Sequence, residues 1–461
     1  MEGRPHPYIP NSAPGKKEEL LEEIGIESVE EIFDQIPDHL RFEEELDIPE
    51  GLKSEHELRE HIENILAEND TASEYTSFLG GGTWNHFVPS VCNTIAARDE
   101  FLTTYQRRAL ADHGKLQALF EAQSMIGDLV EMDAVTTPTY DWGNAAAFAL
   151  RMTHRITGRS QVIAAGTTSP ERLDIIENYC APEMEVITTK YDQDTGRMDL
   201  EDLKNKLNSD VAAVYFENPS FLGFIETKAG KIANLAREVE AEVVVGVDPS
   251  SLGILASPAS YGADMACGDL QPFGIHSKWG GGLAGFIASG DDEKYVGEYP
   301  NLLYGITGTI KEDQYGFGKV SFDRTSYAER EEGKDYVGTA TALYGIIAGV
   351  YLALMGPEGM RELGEGIMQK VSYARRRLSS IEGVNPYRFD SKCFKEFVVE
   401  FPAGTSVQEI NRELQARNIF GGHSLEKQFS ELENCALYSL TEVNTIEEIE
   451  HLAAALEEIL P

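Results

Sequence analysis

Between about residues 160 and 290, short β-type runs alternate with helix-length segments, and this alternation limits the possible folds more than any other feature of the chain. Val162–Ala165, Val186–Thr189, Val211–Phe216, Val243–Val247, Met265–Cys267 and Phe286–Ala288 read as strands, with helical patterns near Glu171–Cys180, Leu200–Leu207 and Ala229–Val239 between several of them. Strands separated in this way need right-handed crossovers and imply a mostly parallel sheet in an α/β fold. In open sheets of this kind ligands lie outside the carboxyl ends of the strands, so the residues just after each run are the candidates for a site.

Two such ends stand out. Asp248 follows VVVGV, and about thirty residues later His276, Ser277, Lys278 and Trp279 precede three glycines. That layout suits pyridoxal phosphate (PLP). The aspartate would keep the pyridine nitrogen protonated, the lysine would hold the cofactor as a Schiff base, and the glycines would let the chain turn closely beneath it. Each residue also has a plainer reading. Lys278 is otherwise a surface or interface lysine, Asp248 a cap or turn residue supporting Ser250 and Ser251, and His276 a structural histidine beside a loop.

Asn218 follows VAAVYFE and is either a hydrogen-bond donor to a cofactor ring oxygen or a turn residue. Gly143 and Asn144 open the helical run AAAFALRM, whose free N–H groups and dipole would suit a phosphate; Asp141 or Asn144 acting as a cap is the alternative. His86 lies in GGGTWNHFVPS, where glycines permit close approach of a ligand or of another chain. It has either a chemical role there or an interface-packing one.

Residues 1–70 are charged and punctuated by Pro10, Pro14, Pro37 and Pro49, with helical runs near Glu18–Phe33 and Glu55–Ala67. They carry too little apolar surface for a core, so a helical arm that wraps a larger body or a partner is expected. Residues 71–335 form the expected large domain, its last part, 291–335, reading as a long irregular excursion. Residues 336–461 form the expected small C-terminal α/β domain. It begins with an apolar helix over Val337–Met355 broken by Gly345 and Gly349, and ends in a βαβα pattern through CFKEFVVEF, VQEINRELQARNI, CALYSL and NTIEEIEHLAAALEEIL.

Composition excludes several partners. The 39 basic and 78 acidic residues give a formal charge of −39, unsuited to nucleic acid or anionic membranes. A solvated acidic surface is the expectation, and a salt-rich cytoplasm would blunt its self-repulsion. The five cysteines are scattered without a CxxC pair, which points to reduced thiols in a cytoplasm and to no structural metal. The start has no apolar core of signal-peptide length, and no uninterrupted apolar run approaches a membrane span. GGGLAG matches GxGxxG but lacks the strand-to-helix setting of a dinucleotide site.

An ordered set of motifs runs nearly end to end: FLGGGTWNHFVP, LQALFEAQSMIGDL, ENPSFLGFIE, VDPSSLGIL followed by YGADMACGD, ALYGIIAGVYLALMGPEGMRE and LYSLTEVNTIEEIEHL. On these the chain resembles the subunit 1 family of glycine dehydrogenase (decarboxylating), the N-terminal half of the P-protein of the glycine cleavage system. The resemblance implies the PLP-dependent transferase type I fold, a large domain with a mostly parallel sheet and a small C-terminal α/β domain. It also implies a heteromer with a PLP-bearing subunit 2, decarboxylation of glycine, and transfer of the aminomethyl group to a lipoyl H-protein. In that arrangement the Schiff-base lysine belongs to subunit 2, and the segment around His86 approaches a shared active site.

Three loops depart from the family pattern: TTYQRRALADHGK, PTYDWGNAA and SKWGGGLAG. Aligned on the glycines, the family's cofactor lysine falls near Gln271, which cannot form an imine. The departures keep two alternatives open, a diverged paralogue binding PLP itself through Lys278 and acting on another amine or amino acid, and a non-catalytic scaffold subunit.

Overall fold

The computed structural model describes residues 8–42, 44, 46–102, 113–136, 138–277, 284–326, 331, 333, 335–337 and 342–460. The chain divides into two compact units, 1–69 and 70–461. In the first, helices Lys16–Ile24 and Glu55–Leu66 contain no buried residue. The second of these is fixed by its own ends, because Ser54 and Glu57 form a reciprocal capping box.

The second unit is built on a seven-stranded sheet. Its strands are β1 (Ala134–Val135), β2 (Gln161–Ala164), β3 (Glu185–Thr188), β4 (Val211–Glu217), β5 (Glu242–Val247), β6 (Met265–Asp269) and β7 (Gly285–Ser289). They lie in the order β1-β7-β6-β5-β4-β2-β3. Pairs from β3 through β6 are parallel, while β7 runs antiparallel to both its neighbours. The six strands read from the sequence are all present, within two residues at their ends. β1 is additional, a two-residue strand too short to carry a periodic signal.

Alternation along the central strands feeds two separate cores. Val214, Phe216, Val243, Val245 and Val247 join one apolar cluster, and Ala213, Tyr215 and Val244 join the other. Successive side chains of a strand point to opposite faces, so a run buried on both faces is apolar throughout. All seven residues of β4 are buried for this reason.

Two expectations need correction. The stretch 291–335 is structured in part, because Tyr304–Gly308 and Tyr315–Lys319 pair as an antiparallel hairpin and Glu293–Val296 is helical. Its far end is tied down where Arg151 Nε donates to Asp335 Oδ1 at 2.9 Å. Gly345 and Gly349 do not break the long helix Ala342–Leu378; a Cβ on either would meet Pro138 at 2.6 Å or Ala122 at 2.8 Å, so they are contact points for neighbours. The interruption falls at Gly356 (φ 59°, ψ −179°), just before Pro357, where a helical hydrogen bond is lost.

That helix is long and apolar enough to cross a membrane, yet Ile346, Ile347, Ala348, Tyr351 and Leu352 are buried in the protein core. The C-terminal part carries strands Glu396–Glu400, His423–Ser424 and Cys435–Ser439 in one antiparallel sheet, with helices Val407–Gln415 and Ile446–Ile459.

Candidate functional site

Asp248 directly follows β5, is 4% exposed, and caps the short turn Pro249–Gly253. Its Oδ1 accepts the Ser250 N–H at 3.1 Å and the Ser250 hydroxyl at 2.7 Å. Oδ2 faces Lys395 Nζ at 2.7 Å. Lys395 is 2% exposed and immediately precedes the strand Glu396–Glu400, so the C-terminal sheet delivers an ammonium to the carboxyl end of β5. That ammonium lies 3.9 Å from the centroid of the Trp84 ring.

A second buried pair lies alongside. Arg172 Nε and Nη2 donate to the two oxygens of Glu217, at the end of β4, at 2.7 and 2.8 Å. The Ser169 N–H and the Tyr215 hydroxyl reach the same carboxylate, and the Arg172 guanidinium stacks 4.0 Å from the Trp142 ring centroid. Burial works against the charged Arg172, but Glu217 outweighs it and the guanidinium pKa is raised. Two carboxylates at strand ends are thus each matched by a cation and an aromatic face.

Asp248, Lys395, Trp84, Arg172 and Trp142, with Phe221 and Phe394, line a residual cavity of about 10 Å³. A space of that size holds one water at most. A pyridine ring with its phosphate does not fit the side chains as they stand. The helix Trp142–Thr157 offers no vacant anion seat either, because the Asp141 carboxylate caps it by accepting the Asn144 N–H at 2.7 Å. Gly143 serves close helix packing, since a Cβ there would meet Ile175 Cδ1 at 2.7 Å. The side-chain amide of Asn144 is buried without a partner.

The remaining sequence candidates are dispersed. Asn218 faces inward, its Oδ1 accepting the Glu226 N–H at 3.0 Å. His276 is exposed, with Nε2 2.8 Å from Asn93 Oδ1. Lys278 lies outside the described residues. His86 is buried, its Nδ1 2.7 Å from Glu442 Oε2 and its Nε2 without a partner. Burial chiefly lowers the His86 pKa, with Lys395 adding to the effect. Burial acts to raise the Glu442 carboxyl, but the His86 ring and the Phe87 N–H outweigh it and bring it down to about 2. The two side chains thus hold each other through one short buried contact between the ring and the carboxylate.

The segment that carries His86 is held from several sides. Gly81 N–H donates to Glu396 Oε1 at 2.6 Å, Gln271 bonds Trp84 through both its main-chain groups, Thr441 Oγ1 donates to the Asn85 carbonyl at 2.5 Å, and Phe87 N–H donates to Glu442 at 2.7 Å. Sequence reasoning missed Lys395, Trp84, Arg172, Glu217 and Glu396. One signal was there for the first and last: Lys395 and Glu396 put adjacent charges into the apolar strand CFKEFVVEF, and charges in a buried strand need partners. Among the described residues no group of His, Cys, Asp and Glu is arranged to hold a metal ion.

The glycine cleavage system P-protein family model matches residues 6–456. A probable glycine dehydrogenase (decarboxylating) subunit 1 from Pyrococcus horikoshii is 38% identical over 457 residues, 98% of this chain and 99% of that protein. A namesake from Staphylothermus marinus is 37% identical over 464 residues, covering 99% of this chain and 98% of the relative. Among solved structures, an inhibitor-bound glycine decarboxylase (P-protein) of the glycine cleavage system superposes with a TM-score of 0.87 at 30% identity, each chain covered completely. A sphingosine-1-phosphate lyase from Burkholderia pseudomallei, 12% identical with a TM-score of 0.67 over 92% of this chain and 94% of its own, shares the fold alone. The fold is that of the type I PLP-dependent enzymes, and a match of this length in both sequence and structure means that the chain belongs to the glycine cleavage system P-protein family.

Proposed function

We propose that this chain is subunit 1 of a glycine decarboxylase, working with a homologous subunit 2 that carries PLP, and that the pair decarboxylates glycine and passes the aminomethyl group to a lipoyl H-protein. The single observation that carries this division of labour is the filled space at the carboxyl end of β5. Asp248, the carboxylate suited to a cationic ring, already has Lys395 as its counter-ion, and Gln271 stands where the resemblance would put an imine-forming lysine. On this reading the chain supplies a preorganised fold and the braced segment from Gly81 to Phe87, while the partner supplies the electron-accepting cofactor. Five free cysteines, all buried, accord with a reducing cytoplasm.

The test is reconstitution. The chain, subunit 2 and a lipoyl carrier are combined and glycine decarboxylation is followed. Activity is expected only when both subunits are present. After borohydride reduction the pyridoxyl mass increment is expected on subunit 2 peptides alone. Decarboxylation by this chain alone, or a pyridoxyl adduct on it, would overturn the proposal.

A further inference from the structure

The space between Asp248 and Trp84 has the three contacts that a flat organic cation needs: a buried carboxylate, an aromatic face and walls that exclude water. All three are taken by a side chain of the protein itself. Lys395 Nζ is 2.7 Å from Asp248 Oδ2, 3.9 Å from the Trp84 centroid and 5.8 Å from the Phe394 centroid. The ammonium meets no acceptor along a hydrogen-bond direction, so charge and the ring face hold it. The other oxygen of Asp248 is already committed to Ser250, which leaves Oδ2 with Lys395 as its cation.

We infer that Lys395 is a resident cation, a tethered stand-in that fills and closes a binding site for small organic cations between Asp248 and Trp84. The inference rests on the reading that the cofactor is carried by subunit 2, and extends it by naming what occupies the corresponding place here. Because nothing directional fixes the ammonium, the site selects for positive charge and size. Truncation of Lys395 exposes a receptor for alkylammonium or pyridinium ions, and a neutral molecule of the same shape leaves the Asp248 charge unmet.

Chemical rescue of the full chain tests this. Lys395→Ala is melted with n-propylammonium or pyridinium chloride, with 1-propanol, and with sodium chloride at matched ionic strength. The variant is expected to melt below the wild type and to regain most of the loss with either organic cation, while propanol and sodium chloride do nothing comparable. The wild type, with the site filled, is expected not to respond. Equal recovery with propanol, or no cation-specific recovery in a variant of native circular dichroism, overturns the inference.

Should Lys395→Ala fail to fold, Lys395→Met and Asp248→Asn/Lys395→Met decide. The double variant is expected to melt above Lys395→Met, since it removes the stranded charge; a double variant at or below the single one overturns the inference. The location of the pyridoxyl adduct in the reduced complex is a separate readout. An adduct on this chain defeats the reading that the partner carries the cofactor, whereas failure of rescue defeats only the role of Lys395.

Discussion

Gln271 pairs with the main chain of Trp84 on both sides, its Nε2 donating to the Trp84 carbonyl at 2.9 Å and its Oε1 accepting the Trp84 N–H at 3.2 Å. A third bond runs from Nε2 to the Ile275 carbonyl at 3.2 Å. A neutral amide can donate and accept in this way at one peptide unit, whereas the ammonium of a lysine, which only donates, could not. Gln271→Lys is expected to gain no pyridoxyl imine and to lose about 1–3 kcal/mol of stability. Urea unfolding gives the second quantity, and absorbance with added PLP gives the first.

Acid should weaken the protein through His86. Its pKa in the folded state lies below the ordinary 6.5, so the unfolded chain takes up the proton first and stability falls as the pH drops through that value. Glu442 acts in the same sense at lower pH, its contribution present above 4.5 and lost towards about 2. His86→Gln is expected to flatten the dependence between pH 7 and pH 5, as read from urea midpoints across that range.

Glu396 works in the opposite direction. Burial pushes its carboxyl up from 4.5 to about 7, so its contribution is complete at low pH and is lost as the pH rises through that interval. Glu396→Gln keeps an acceptor for the Gly81 N–H and removes the buried titration. We expect the variant to gain on the wild type between pH 5 and pH 8 by on the order of 2–3 kcal/mol. A constant difference across that range would show that Glu396 does not titrate there.

The Arg172–Glu217 pair offers a second test of charge matching, at the cavity that Arg172 lines together with Lys395. Arg172→Met leaves Glu217 buried and uncompensated, at a cost of about 3–5 kcal/mol. Arg172→Met/Glu217→Met should recover a large part of that loss, because no charge then remains stranded. Thermal melts of the two single variants and the double variant measure the coupling.

What was legible in the sequence follows from how local each signal is. β4 and β5 announce themselves as β-branched runs, and Asp248 and Asn218 could be put at strand ends by counting. β1 has two residues and no period, and the hairpin Tyr304–Gly308/Tyr315–Lys319 carries four glycines in its strands, which weaken the β pattern. The site was less accessible. A carboxylate in a strand-end position looks the same whether its cation is a cofactor or a lysine from the C-terminal sheet, and only the fold brings Lys395 to Asp248. The helix start at Trp142 posed the same problem, since a phosphate seat and a capped terminus share their sequence signature until Asp141 is seen to fill it.

The Lys395–Asp248 pair has a consequence for how the chain matures. Proteins that complete their core with a dissociable ligand are stabilised by mass action, in proportion to the logarithm of its concentration. Here the counter-ion is covalently part of the polypeptide, so its effective supply is fixed at synthesis. The melting temperature of this chain should accordingly be the same in cells starved of PLP and in cells replete with it, and newly made subunit can accumulate in folded form before any cofactor arrives.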